Sequence, residues 1–152
     1  LKALLLLFFS LISTELTTLS ELKNSLKKND DKLYIINFWA TWCKPCVEEM
    51  AHFDSISIAN SSSGVELIFV SLNQRKEQKI VERFIERRGI QSKSIILNEQ
   101  NPNDWINKVD SSWSGSLPAT VFYKNGEKLF FYEGEINAEL LEEKINLYTH
   151  KK

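Results

Sequence analysis

Cys43 and Cys46 are the only cysteines in the 152-residue chain, and Lys44 and Pro45 separate them. Two thiols at this spacing can close a small disulfide ring. The apolar run Leu33-Tyr34-Ile35-Ile36-Asn37-Phe38 precedes the pair and a helical pattern begins at it. The first thiol therefore meets the unpaired amides and positive dipole end of a helix N-terminus, where a thiolate is favoured. Reversible dithiol oxidation is the chemistry implied. A structural cross-link fits poorly, because so short a loop constrains the unfolded chain weakly.

Helical geometry assigns roles within the pair. Counting about 100° per residue from Cys46, Met50 and Phe53 fall within about 40° and Ile56 about 80° away, forming one core-facing stripe. Cys46 is predicted to be buried and Cys43 to sit at the exposed tip of the turn. Cys43 is then the attacking thiol, and Cys46, with the higher pKa that burial brings, the resolving one. Lys44 adds a positive charge that favours the thiolate, and Pro45 removes an amide that a first helical turn does not use. Glu49 lies about 60° from Cys46, between Phe53 and Ile56, whereas Glu48 lies about 160° away on the solvent side. A desolvated Glu49 carboxyl has a raised pKa and can relay a proton to or from Cys46; an ordinary glutamate at the helix rim is the alternative.

Other residues complete the candidate site. Trp42 abuts the exposed thiol and is a candidate for a protein-docking surface, while Trp39, Trp105 and Trp113 read as core or loop anchors. Leu117-Pro118-Ala119-Thr120 sits at a loop-to-strand entry, where proline is tolerated and a cis bond is sometimes kept. His52 follows Cys46 at a spacing of six, but a zinc site normally needs four ligands and His150 is the only other histidine. No metal is expected, and His52 reads as a helix-surface residue.

The elements that must hold these residues are legible as a βα alternation. With 43% hydrophobic residues, a charge of −1 and no basic block, the chain suits one compact domain and excludes a nucleic-acid or anionic-membrane footprint. Lys2 precedes about ten apolar residues to Ile12, the pattern of a secretory h-region, with Ser13 as a poorly flanked cleavage position. The division expected is a signal peptide or N-terminal segment over 1–13 and one domain over 14–152. Within the latter, Thr18-Leu19-Ser20-Glu21 reads as a capping box opening a short helix. Leu33–Phe38 and Val65–Val70 lack period-two alternation and suit strands covered on both faces. The dithiol helix runs to about Ala59, and a second helix with Ile80, Val81, Phe84 and Ile85 as its stripe stops at Gly89. Ser94–Leu97 is a short strand, Asn101–Val109 a short helix and Ser111–Ser116 a loop. Asn125-Gly126 joins Ala119–Lys124 to Lys128–Tyr132 as a hairpin, and a helix from about Asn137 to Tyr148 follows. The fold class expected is α/β, with a central mixed sheet and helices on both faces.

The string Asn37-Phe38-Trp39-Ala40-Thr41-Trp42-Cys43-Lys44-Pro45-Cys46-Val47-Glu48-Glu49, with Leu117-Pro118-Ala119-Thr120 downstream, resembles the thioredoxin superfamily and most closely its TlpA/ResA-like envelope members. The match runs from about Leu16 to Tyr148. The resemblance implies a thioredoxin-like fold, Cys43 as attacking thiol, Cys46 as resolving thiol, Pro118 as a cis-proline facing the disulfide, and Glu49 as the buried acid. Trp42, Lys44, Pro45 and Leu117 would line the substrate surface. Asn37 stands where thioredoxin itself has a buried aspartate, which shifts the proton relay to Glu49. The long Cys43-to-Pro118 spacing implies a central insertion of the TlpA type, placed somewhere in Gln91–Ser112. The function implied is a monomeric thiol:disulfide oxidoreductase of the periplasm or cell envelope, reducing disulfides of exported proteins. No cofactor is expected; electrons would come from a membrane donor of the thiol-reducing type, as no nucleotide or flavin motif is evident. A noncatalytic docking module and a peroxidase-type thiol enzyme are the alternatives. The latter looks for Thr-x-x-Cys, and Ala40 occupies the threonine position.

Overall fold

The computed structural model describes residues 14–150. The expected leader over 1–13 lies outside the described residues. Six strands and five α-helices follow one another as β1 (Glu15–Thr17), α1 (Leu19–Ser25), β2 (Leu33–Trp39), α2 (Lys44–Ala59), β3 (Val65–Ser71), α3 (Gln78–Arg88), β4 (Lys93–Leu97), α4 (Pro102–Val109), β5 (Ala119–Lys124), β6 (Glu127–Glu133) and α5 (Ala138–Thr149). The sheet order is β1-β4-β3-β2-β5-β6. The first four of these run parallel, β5 runs against them, and β6 pairs antiparallel with β5. No helix among the described residues is long and apolar enough to cross a membrane.

All seven residues of β2 are buried, which is why its sequence does not alternate. Its side chains divide by parity between two cores. Leu33, Ile35 and Trp39 face Met50 and Phe53 of α2, Val81 and Ile85 of α3, and Leu141 and Ile145 of α5. Tyr34, Ile36 and Phe38 face Leu19 and Leu22 of α1 and Trp105 and Val109 of α4. Asn37 shares the parity of Ile35 and Trp39, so it lies on the face covered by α2.

Local chemistry sets the element ends. The Thr18 hydroxyl accepts from the Glu21 amide at 3.2 Å while the Glu21 carboxylate accepts from the Thr18 amide at 2.8 Å, the reciprocal cap expected. Asn125, at φ 51°, and Gly126, at φ 81°, form the tight β5–β6 turn. The segment 91–112, where an insertion was expected, contributes β4 and α4. β4 is built into the sheet between β1 and β3, so this stretch belongs to the fold rather than hanging from it.

The loop between α4 and β5 is pinned by Trp113, which is 3% exposed. Its ring meets Phe38 at 4.9 Å and Trp105 at 5.5 Å, and its Nε1 donates to the Ser116 carbonyl at 2.9 Å. That anchor leads directly into Leu117 and Pro118. Trp113→Ala is expected to lower the unfolding free energy by about 3–5 kcal/mol; a urea denaturation series showing a loss below about 1 kcal/mol would contradict this packing role.

Candidate functional site

β2 ends at Trp39, and four residues further on the chain enters α2 with Cys43 as its N-cap. The Cys43 amide donates to the Ala40 carbonyl at 3.0 Å, and its carbonyl accepts from Val47 at 3.1 Å, closing the first helical turn. Pro45 sits in that turn, where a missing amide costs nothing. The two sulfurs are joined in a disulfide of 2.02 Å, with the Cα atoms 5.3 Å apart. A thiolate released at Cys43 faces the positive end of a 16-residue helix.

Burial corrects one expectation. Cys43 does not stand at an exposed tip: it is 6% exposed, against 0% for Cys46. Both belong to the core cluster that contains Trp39, Ala40 and Met50, and Leu117 packs against that cluster. The N-cap position, bonded to a fully covered partner, folds the first cysteine inward. Cys43 is still the more accessible of the two. The exposed aromatic of the motif is Trp42, at 68%. A groove of about 680 Å³ opens beside it, past Leu72, Arg75, Asn98, Pro102 and Trp105.

Lys44 acts less directly than its charge suggested. Its ammonium lies 3.7 Å from the Glu48 carboxylate in an exposed i,i+4 pair, which is worth little in water and partly offsets its charge. The Leu117–Pro118 peptide is cis. Pro118 is buried, and its carbonyl accepts from Gly134 at 2.9 Å at the edge of β6.

Glu49 is fully buried and Glu48 exposed, as the wheel separated them. Both Glu49 oxygens are met by donors from other parts of the chain. Asn37 Nδ2 donates to Oε1 at 2.8 Å, and the Ile136 amide donates to Oε2 at 2.9 Å. Burial raises the carboxyl to about 7, against the two hydrogen bonds that favour its ionised form; the nearby Glu135 charge pushes it further upward. His52 reaches from the same helix to the Ile136 carbonyl at 2.7 Å, so Glu49 and His52 grip the two ends of one residue ahead of α5.

Residues that the sequence reading passed over also shape the site. Asn73 is 2% exposed. Its Oδ1 accepts from the Thr41 amide at 3.0 Å and its Nδ2 donates to the Thr41 hydroxyl at 2.9 Å, which fixes the turn that presents Trp42. Asp54, further along α2, accepts from the amides of Gln91 and Ser92 at 3.1 and 2.8 Å and ties the α3–β4 loop to the helix. Ser-Leu-Asn and Phe-Asp-Ser carry no local mark of these distant partners.

A disulfide at the head of a helix that leaves a buried parallel strand, a cis-proline loop, and a mixed sheet covered on both faces define a thioredoxin-like dithiol protein. The chain belongs to the AhpC/TSA family, whose profile matches residues 10–128. It is similar to the thiol-disulfide oxidoreductase ResA of Geobacillus kaustophilus, with 32% identity over 129 residues, 84% of this chain and 69% of that protein. Similarity to the ResA of Halalkalibacterium halodurans is 29% over 123 residues and covers 80% of this chain; the match spans 65% of that relative's length. The crystal structure of StoA from Bacillus subtilis has a TM-score of 0.58 and 26% identity, covering 76% of this chain and 83% of that one. The ResA-like resemblance carried by Asn37–Glu49 is borne out by these relatives.

The raised Glu49 carboxyl has a consequence for stability. In the unfolded chain it ionises near the usual glutamate value of 4.5, while in the folded protein it holds its proton to about 7. Between those values the unfolded state binds fewer protons than the folded one, so this group makes stability fall as pH rises from about 4.5 to about 7, by about 3 kcal/mol in all. Glu49→Gln is expected to flatten that part of the pH–stability curve; an unchanged slope would show that Glu49 does not hold the proton.

Proposed function

We propose that the protein is a thiol:disulfide oxidoreductase that chiefly reduces disulfides of exported proteins. What supports this most is the Cys43–Cys46 disulfide at the N-terminus of α2, with the buried Glu49 carboxyl one turn further along the same face. In the reduced protein the Cys43 thiolate attacks one sulfur of a substrate disulfide. A mixed disulfide forms, and the other substrate sulfur leaves as a thiolate and takes up a proton. Glu49 accepts the proton of Cys46, whose thiolate then attacks Cys43. The ring closes, and the second substrate sulfur leaves reduced. The substrate gains two electrons and two protons, and the protein's dithiol is oxidised to its disulfide. A carboxyl that titrates near 7 suits the relay, since it takes and returns a proton at neutral pH with little driving force lost.

Trp42, Lys44, Pro45 and Leu117 form the surface against which the substrate segment lies, and Pro118 shapes the loop behind it. Reduction of the closed ring requires a membrane donor of the thiol-reducing type. In this reading residues 1–13 direct export, 14–152 act as the redox unit, and the protein works as a monomer in the periplasm or cell envelope. The relatives' names support the reaction class.

Disulfide reduction of a model substrate such as insulin, with dithiothreitol as terminal donor, tests the assignment. Cys43→Ser is expected to fall to the uncatalysed rate. Cys46→Ser, reduced, freed of dithiothreitol and then mixed with the substrate, is expected to accumulate a mixed disulfide between Cys43 and substrate, visible on a nonreducing gel. Wild-type turnover by Cys43→Ser would remove the proposal.

A further inference from the structure

Asn37 is fully buried, and its two amide hydrogens go to two different acceptors. One reaches Glu49 Oε1 at 2.8 Å, the other Thr120 Oγ1 at 3.1 Å. Thr120 is the direct cross-strand partner of Asn37 in the β2–β5 pairing, so both side chains leave the sheet on the face that α2 covers. Asn37 Oδ1 has no partner among the described residues. The amide nitrogen is held between two acceptors, Glu49 Oε1 and Thr120 Oγ1, and these fix the orientation of the side chain. Turned over, it would aim a carbonyl at a carboxylate oxygen. The ionised Glu49 carboxylate, which can only accept, opposes that turned-over amide, while the Thr120 hydroxyl accepts the second amide hydrogen and stands two residues after Pro118, on the same strand entry as the cis peptide.

We propose that Asn37, oriented by Thr120, is a positioning residue for thiol–disulfide exchange: it fixes the Glu49 carboxyl one turn below Cys46 and keeps it available in its ionised form. This rests on the exchange reaction and the Glu49 relay proposed above. The charged group set against Glu49 is Glu135 ahead of α5, and Cys46, when reduced, lies one turn away on the same helix; His52 meets the carbonyl of the same Ile136. β2 and β5 contribute uncharged partners there, Asn37 and Thr120. An amide at position 37 thus supplies a donor without a second negative charge, which a carboxylate at this position would add.

The test is the pH profile, from 5 to 9, of exchange between the reduced full chain and a small aromatic disulfide. Glu49→Gln defines which inflection belongs to Glu49. Removing a hydrogen bond that favours the ionised carboxyl moves its titration upward, so Asn37→Ala is expected to shift that inflection up by about one pH unit, a tenfold change in proton affinity. Thr120→Val, which keeps the side-chain shape, is expected to shift it the same way by less. A general loss of packing at position 37 would lower stability without moving the inflection. An inflection unmoved in both variants overturns the positioning role while leaving the relay in place; if Asn37→Ala does not fold, Thr120→Val alone decides. An inflection that survives Glu49→Gln overturns the relay itself, and this inference with it.

Discussion

A carboxyl with no solvent exposure must be met by donors, and the way Glu49 is met organises the site. One donor comes from the centre of the sheet, through Asn37, and the other from the backbone ahead of the last helix, at Ile136. These two bonds lock α2 onto β2 on one side and onto the entry to α5 on the other. The same helix carries Cys43 as its N-cap and Cys46 in its first turn. The position of the disulfide relative to the sheet, the proton-holding group and the cis-proline loop is therefore set by one buried polar contact and the apolar stripe that surrounds it.

The apolar stripe does the bulk of the work. Met50 and Phe53 seat α2 against Leu33, Ile35 and Phe69, and α5 closes the same core with Leu141 and Ile145. On the far side of the sheet, Trp105 and Trp113 stack about Phe38 and hold the loop from which Leu117 and Pro118 emerge. The two cores converge on the reactive end of β2 from opposite faces. Exposed Trp42 then stands out beside the covered cysteines, held there by the Asn73–Thr41 clamp.

Much of this is legible in the chain because it is written in short-range patterns. The dithiol at a strand-to-helix junction, the Thr18–Glu21 cap, the Asn125-Gly126 turn and the 3.6-residue stripe of α2 each depend on neighbours within one or two turns. The wheel even separated buried Glu49 from exposed Glu48. What escaped depends on residues far apart in sequence. The three-residue strand β1 exists because β4 offers it a parallel edge, with Glu15 paired to Ile95. Asn73 and Asp54 find their partners 32 to 38 positions away. The cover over Cys43 is tertiary too: helical position gives the direction of its side chain but not the core cluster that closes over it. Asn37 marked a departure from the thioredoxin pattern, yet its bond to Glu49 shows only once α2 lies across β2.

The two sulfurs form an asymmetric pair, one with limited access and the other sealed beneath it. Brief alkylation of the reduced protein at pH 7, followed by mass-spectrometric localisation of the label, reads this directly. Label is expected first on Cys43, with Cys46 modified only after denaturation. Equal labelling of the two, or modification of Cys46 ahead of Cys43, would contradict the account.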